Sequence, residues 1–170
     1  GLASIGLRNE AYKPMKYIAE LVMNEKQRGS WPEISTERFN SYFSPPAGVY
    51  IQMAVEGIFG LKVHKPDGYV SVSPSFPDHW PDAELCLHEY NVVYKRTGNT
   101  LEYFLKCREK LAIHVRWLLP AGRIKQVLFN NSEIKFKVEP RVGCILLSFD
   151  TEECTSGRIQ IDIEPLGYNV

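Results

Sequence analysis

The polar segment between residues 27 and 44, QRGSWPEISTERFNSYFS, holds the side chains whose types and spacing could do chemistry. Two carboxylates, Glu33 and Glu37, stand there among four aromatic residues: Trp31, Phe39, Tyr42 and Phe43. Carboxyl groups act as acid and base in glycosidic-bond hydrolysis, and aromatic rings can stack on sugar rings. At about eighteen residues the segment is long for an unstructured connection, and such connections are often functional. The alternative is that Trp31 and Phe43 pin the segment to its neighbours while Glu33 is solvated, the default for an exposed carboxylate.

Two helices are predicted to flank this segment, at about residues 9–25 and 46–58. The first begins beside the capping residue Asn9. Pro45 and Pro46 fit the start of the second, and Gly60 fits a left-handed cap after its end. Apolar residues at steps of three and four give each helix a buried face, and we expect these faces to meet. They are Met15, Ile18, Ala19 and Val22 in the first helix, and Val49, Met53 and Ala54 in the second.

Beyond residue 60 the apolar pattern changes from a helical period to the alternation of β-strands. Val70 and Val72 alternate with serines, and Gly98-Asn99 and Asn130-Asn131 mark two hairpin turns. The pattern predicts seven to nine short strands, which is typical of a β-sandwich. Among them are Leu101 to Cys107, Leu111 to Leu119, and Glu133 to Val138 with one apolar face. The predicted fold class is α+β, with two helices in residues 1–60 and an antiparallel β-sandwich in residues 61–170.

The junction of the two parts carries a family resemblance. A helix ending in GIFGL is followed by a strand and by SPSFPDHW, with Pro74, Pro77 and Trp80 in a P-x-x-P-x-x-W spacing. This resembles the end of the helical barrel in six-hairpin glycosidases, such as the maltose and cellobiose phosphorylases and the α-L-rhamnosidases. The segment RIKQVLFNNSEIKFKV is similar to a hairpin of their C-terminal sandwich, with Asn131 where glycine is usual.

The resemblance implies that the helices are the last of an (α/α)6 barrel and that the sandwich caps and stabilises it. The chain would then be the C-terminal fragment of a glycoside hydrolase or phosphorylase, with carbohydrate as the partner of the parent enzyme. A Trp-Glu pair in the last inter-helix loop of the rhamnosidase-like relatives supplies the general base. Glu33 matches this base, with Pro32 between it and Trp31. Trp31, Glu37, Tyr42 and Phe43 would contact substrate. The partner acid is missing, so the fragment is expected to be inactive.

Two other functions stay open. The chain could be a non-catalytic carbohydrate-binding module that uses aromatic residues of one sheet face, or a structural and interaction domain. The aromatic residues concerned are Tyr90, Tyr94, Tyr103 and Phe104, which are more simply core residues and cross-strand pairs. The cluster Asp78-His79-Trp80 is similarly ambiguous. Because Pro77 and Pro81 flank it, a turn that locks the junction is favoured over a reactive site.

Composition limits the remaining possibilities. Lysine and arginine number 20 and aspartate and glutamate number 20, so nothing predicts nucleic-acid binding. No apolar run approaches the length of a membrane span. Cys86, Cys107, Cys144 and Cys154 form no C-x-x-C pair, so we expect inert core thiols. The four histidines also lack metal-ligand spacing, and no metal or cofactor is predicted.

The chain begins with Gly1 and shows no signal peptide, so we expect it to be a piece of a longer protein and its compartment stays open. In a full barrel each helix would have neighbours on both flanks. Ile5, Leu7, Tyr17 and Leu21 would here lack such neighbours. We therefore expect self-association through the helical end.

Overall fold

The computed structural model describes residues 5–24 and 45–165 of the 170-residue chain. Helix α1 spans Arg8–Asn24, and α2 spans Pro45–Gln52 and continues as a π-helical segment, Met53–Ile58. Both helices lie where the sequence predicted them. A mostly antiparallel sheet follows them, so the described chain is α+β. Within the two described ranges, neither helix has the length and hydropathy that a membrane crossing requires.

Gly60 ends the helical part in a left-handed conformation with φ of +69°, as predicted. Two chain segments run side by side at this point, in continuation of the antiparallel pair β1–β2. The Ser73 N–H donates to the Gly60 carbonyl at 2.9 Å, and the Ser75 N–H donates to the Ile58 carbonyl at 2.9 Å. A Cβ atom on residue 60 would overlap the Ser73 backbone. Glycine is therefore required both by the backbone conformation and by the lack of space.

Ten strands follow Gly60 within the described part of the chain, and the sequence predicted no strand before it. They are β1 Leu61–His64, β2 Tyr69–Val72, β3 Asp82–Cys86, β4 Tyr90–Thr97, β5 Thr100–Pro120, β6 Gly122–Phe129, β7 Ser132–Glu133, β8 Lys137–Arg141, β9 Cys144–Asp150 and β10 Cys154–Pro165. The predicted hairpin at Gly98-Asn99 is present, because Thr97 of β4 pairs with Thr100 of β5.

Strand β5 corrects one prediction. Leu101 to Cys107 and Leu111 to Leu119 were expected as separate strands, but they belong to one strand of 21 residues. The exposed charged run Arg108-Glu109-Lys110 interrupts the burial pattern without bending the chain into a turn. Buried side chains alternate on either side of this run. The run marks the place where β5 passes from one set of strand partners to another.

The exchange of partners along β5 divides the sheet into two halves. The β9 half contains β1, β2, residues 112–120 of β5, β8 and β9; the β10 half contains β3, β4, residues 100–111 of β5, β6, β7 and β10. Trp117 of the β9 half meets Tyr103 of the β10 half with ring centroids 5.9 Å apart. Phe149 and Phe129 meet in the same way at 6.5 Å. The two halves thus share one core, which Met15 of α1 joins.

The second predicted hairpin is only partly correct. Asn130 and Asn131 adopt φ of +50° and +66°, as a two-residue turn requires. The strand after the turn, however, ends at Glu133, and of the expected apolar face only Ile134 packs against the core. Phe136 and Val138 are 37% and 42% exposed. The reason is that the chain leaves β6 and becomes β8, which pairs only with β9 among the described strands.

Candidate functional site

The predicted site lies outside the described residues. Its members belong to the segment between α1 and α2: Trp31, Glu33, Glu37, Tyr42 and Phe43. The structure neither brings these side chains together nor separates them, so their roles stay predictions. The described part of the chain offers two other places where polar side chains gather: the junction around Asp78, and a groove beside α1.

The Asp78-His79-Trp80 cluster ties α1 to the sheet. Asn9 Nδ2 donates to Asp78 Oδ2 at 3.1 Å, and the Asp78 N–H donates to Asn9 Oδ1 at 3.1 Å. Trp80 stands edge-on to Tyr12 of α1 with ring centroids 5.1 Å apart. The Trp80 N–H closes a turn by donating to the Pro77 carbonyl at 3.1 Å. These contacts support the interpretation of the cluster as a structural turn.

The Asp78 carboxylate forms ion pairs with two arginine side chains. Arg8 Nη2 lies 3.2 Å from Asp78 Oδ1, and Arg96 Nη1 lies 3.5 Å from the same oxygen. Arg96 Nη1 also donates to the Asp78 carbonyl at 3.0 Å. Since Asn9 uses the second carboxylate oxygen, both oxygens have partners. A carboxylate held in this way serves as an anchor rather than as a free general base.

Three of the four cysteines have raised pKa values in this fold. All four lie in the described part of the chain, and none is joined to another in a disulfide. Burial raises the pKa of Cys107 to about 11, and burial also raises the pKa of Cys154. The pKa of Cys86 is raised chiefly by a hydrogen bond to Glu84. Because the thiolate is the reactive form, raised pKa values make these thiols less reactive near neutral pH. Cys86 is exposed, contrary to the expectation of core thiols.

The histidines do not gather into a metal site. In residues 5–24 and 45–165, no three His, Cys, Asp or Glu side chains are placed to hold a metal ion. His64 and His114 instead stack on the two sides of Tyr69, with ring centroids 4.5 and 4.3 Å from the Tyr69 ring. These distances are close to the strand spacing, so the stack is a cross-strand ladder on β1, β2 and β5.

The aromatic residues of the carbohydrate-binding alternative do not form an exposed platform. Tyr94 is 3% exposed and Tyr103 is fully buried. The Tyr103 hydroxyl donates to the Phe59 carbonyl at 2.9 Å, and burial raises its pKa. Only Tyr90 and Phe104 are half-buried. The core interpretation is therefore confirmed for Tyr94 and Tyr103, and these two rings cannot stack on a sugar.

A groove of about 880 Å³ runs between α1, the π-helical segment and the outer face of the β9 half. Such a volume lies in the range of ligand pockets. Its floor is apolar and consists of helical residues, a proline and two strand residues: Met15, Met53, Ile58, Pro74, Leu118 and Leu146. Ser75 also lines it, and its hydroxyl is buried without a hydrogen-bond partner among the described residues.

Four cations and one acid line this groove in the described residues: Arg8, Lys62, Arg116, Arg141 and Glu56. Arg116 pairs with Asp150 at 3.0 Å and Arg141 with Glu139 at 2.8 Å, but neither acid faces the groove. Sequence reasoning missed this basic rim. Its members come from separate strands and from α1, so no local spacing signals it.

Comparisons with known proteins give little further information. No protein-family model matches the chain, and no curated protein matches it. Among solved structures, the chain is similar to an α-L-rhamnosidase from Dictyoglumus thermophilum, with 14% identity and a TM-score of 0.44. The match covers 78% of this chain and 15% of that enzyme. A likeness at this level assigns neither an activity nor a family to the chain.

Proposed function

We propose that the chain is the C-terminal part of a carbohydrate-active enzyme, in which the sheet supports a helical catalytic domain. The junction at Gly60 carries this proposal, because the residues that give the sequence resemblance are the ones that join the two segments there. Ser73 and Ser75 bind the helix end. Asp78 and Trp80 then bind α1. A sheet held to the helices in this way suits a supporting role.

In this proposal residues 1–60 are the end of an (α/α)6 barrel, and residues 61–170 are a β-sandwich whose layers are the β9 and β10 halves. The contacts of Trp117 with Tyr103 and of Phe149 with Phe129 between the halves support the sandwich. The exposed side chains of α1 and α2 support the barrel, since a helix with apolar residues outside its packed face expects further neighbours. Tyr17 and Ile51 are 57% and 60% exposed.

The proposed chemistry is the cleavage of a glycosidic bond. Glu33 would act as the general base that activates water, while an acid from another barrel loop protonates the leaving oxygen. Trp31, Tyr42 and Phe43 would stack on the sugar rings, and Glu37 would bind sugar hydroxyls. This assignment rests on the resemblance and on the residue types in the segment, because the segment lies outside the described residues.

The test uses the protein extended upstream of Gly1, assayed on aryl glycosides with and without inorganic phosphate. We expect Glu33→Gln to lower kcat by roughly 10²-fold or more, as the loss of a general base does. The melting temperature should stay unchanged. Glu20→Gln, an exposed acid on α1, is the control. Unchanged turnover in Glu33→Gln would contradict the catalytic role. The absence of turnover on any glycoside in the extended protein would contradict the proposed function.

A further inference from the structure

The groove beside α1 combines an apolar floor with a basic rim. This combination indicates the chemistry that a ligand of the groove would need. Met15 is 4% exposed and Ile58 is 8% exposed, so the floor is fixed by the core. Leu118 and Leu146 continue it along the outer face of the sheet. An apolar strip of this kind matches the apolar face of an amphipathic element.

The groove lies over the outer face of the sheet, where Leu118 of β5 pairs with Leu146 of β9 and Leu146 also pairs with Glu139 of β8. An incoming chain that lies on this face meets side chains and gains no strand partner from β9. Its own backbone polar groups must be satisfied internally, because buried N–H and C=O groups need partners. An α-helix meets this requirement, and α1 supplies a helical wall for it to pack against.

The rim sets the charge of the occupant. Lys62, Arg116 and Arg141 are 52%, 48% and 54% exposed in their side chains, and each forms an exposed ion pair. Arg116 also donates to two backbone carbonyls. Exposed pairs contribute little, so Lys62 and Arg141 can exchange partners at small cost. Arg8 is 13% exposed and stays committed to Asp78. An occupant that offers carboxylates at both edges of its apolar face would complement this rim.

We propose that the groove binds an acidic amphipathic α-helix of a partner polypeptide segment, with its apolar stripe on the floor and its carboxylates on the rim. A second copy of this chain is a poor occupant. Helix α1 carries Arg8, Lys13 and Lys16 against Glu10 and Glu20, so it is not acidic, and α2 has no acid. The proposal stands independently of the proposed function.

The test is a titration of two labelled synthetic peptides with the protein, followed by fluorescence anisotropy. Both peptides have about 18 residues, because shorter isolated helices are marginal in water, and both carry leucine at i, i+3, i+4 and i+7. One has glutamate beside the stripe, and the other has lysine. We expect the glutamate peptide to bind with a Kd of about 10–100 μM and the lysine peptide at least about tenfold more weakly, with the difference shrinking at high salt.

Protein variants locate the site. Arg116→Glu with Arg141→Glu should weaken the glutamate peptide by about tenfold or more, because like charges then face each other. The matched control is Lys125→Glu with Arg158→Glu, two exposed ion-paired cations away from the groove, which should leave binding unchanged. If the groove variant fails to fold, the difference in binding between the two peptides on the parent protein still tests the proposal.

Three results would overturn the proposal. These are equal binding of both peptides, no binding up to about 500 μM protein, well above the expected Kd, and binding that a folded groove variant leaves intact. Concentration-dependent self-association that the groove variant abolishes would assign the groove to a second copy and would also overturn it.

Discussion

Asn9 and Asp78 hold each other by two hydrogen bonds, although 69 positions separate them in the chain. One residue stands in the first turns of α1 and the other in the turn that leads into β3. The pair therefore ties the start of α1 to the sheet. Arg8 and Arg96 converge on the same carboxylate from the helix and from β4.

Replacing Asp78 should loosen α1. Asp78→Ala leaves Arg8 and Arg96 without their shared carboxylate and Asn9 Nδ2 without its acceptor, while the backbone N–H at position 78 still donates to Asn9 Oδ1. We therefore expect a loss of about 1–2 kcal/mol in the free energy of unfolding. Amide hydrogen exchange in α1 should accelerate more than exchange in β5. Chemical denaturation and exchange mass spectrometry measure both effects. Asp82→Ala, an exposed acid at the start of β3, is the control. Equal effects of the two substitutions would count against the anchor.

Gly60 and Gly68 form a matched pair, because their φ values are +69° and +74°. Gly68→Ala meets no atom within 4 Å, so it should cost only the conformational penalty of about 1–2 kcal/mol. Gly60→Ala adds a clash with the Ser73 backbone and should cost more than about 3 kcal/mol or prevent folding. Urea denaturation compares the two. Similar losses for both variants would mean that the close contact between residue 60 and the Ser73 backbone relaxes easily.

The 170-residue chain alone should not hydrolyse glycosides. Two carboxyl groups from different loops of a barrel are needed, and the resemblance supplies at most one of them here. A release assay on aryl glycosides at high protein concentration measures this. Activity that survives repurification and disappears in Glu33→Gln would show that the chain already holds a complete site.

The thiol of Cys86 should be alkylated slowly for an exposed cysteine. Glu84 raises its pKa by accepting a hydrogen bond at 3.4 Å, so less thiolate is present at a given pH than in a free thiol. The rate of reaction with iodoacetamide should rise with pH and should reach its plateau at a higher pH than the rate for a cysteine with an unperturbed pKa. Glu84→Gln removes the negative acceptor, lowers the pKa and should speed the reaction severalfold. Peptide mass spectrometry identifies the modified cysteine, and Glu152→Gln is the control. Equal rates for both variants would contradict the role of Glu84.

We propose that the chain self-associates through the outer sides of α1 and α2. Tyr17, Val49 and Ile51 are each at least 56% exposed. Burying three or four such side chains would contribute about 5–8 kcal/mol, largely offset by the cost of association, so micromolar pairing is expected. Sedimentation between about 1 and 200 μM brackets that affinity.

Two substitutions test this surface. Tyr17→Glu with Ile51→Glu should shift the self-association toward the monomer. Val142→Glu is the control, since Val142 is a fully exposed aliphatic residue on the rim of the groove instead. A monomer at every concentration would show that this surface does not pair, and it would also weaken the barrel proposal.

The sequence predicted the features that depend on neighbouring residues. The change of period at Gly60, the left-handed glycine and the start of α2 at Pro45 each follow from local preferences. Val49 was expected to face α1 but is 56% exposed, because Met53 and Ala54 supply the side of that helix that packs on the core. A local sequence pattern indicates that a helix has an apolar face. It does not indicate which residues of that face contact the element packed against the helix.

Long-range pairing could not be predicted in the same way. The continuity of β5 through Arg108-Glu109-Lys110 depends on partners that change along the strand, and the parallel pairing of β2 with β5 depends on a return of the chain from far away. The basic rim of the groove has the same origin. The predicted site of Trp31 and Glu33 lies outside the described residues, so the structure does not test that prediction.

Strand β10 is the last described strand in the chain, yet it lies between β5 and β6. During synthesis, the edges of β5 and β6 that pair with β10 therefore stay unpaired until residues 154–165 have left the ribosome. Open strand edges pair readily with other chains. A premature stop before β10 would remove a central strand rather than trim an edge. We expect such a truncated product to aggregate, so nascent chains would need protection from association until β10 emerges.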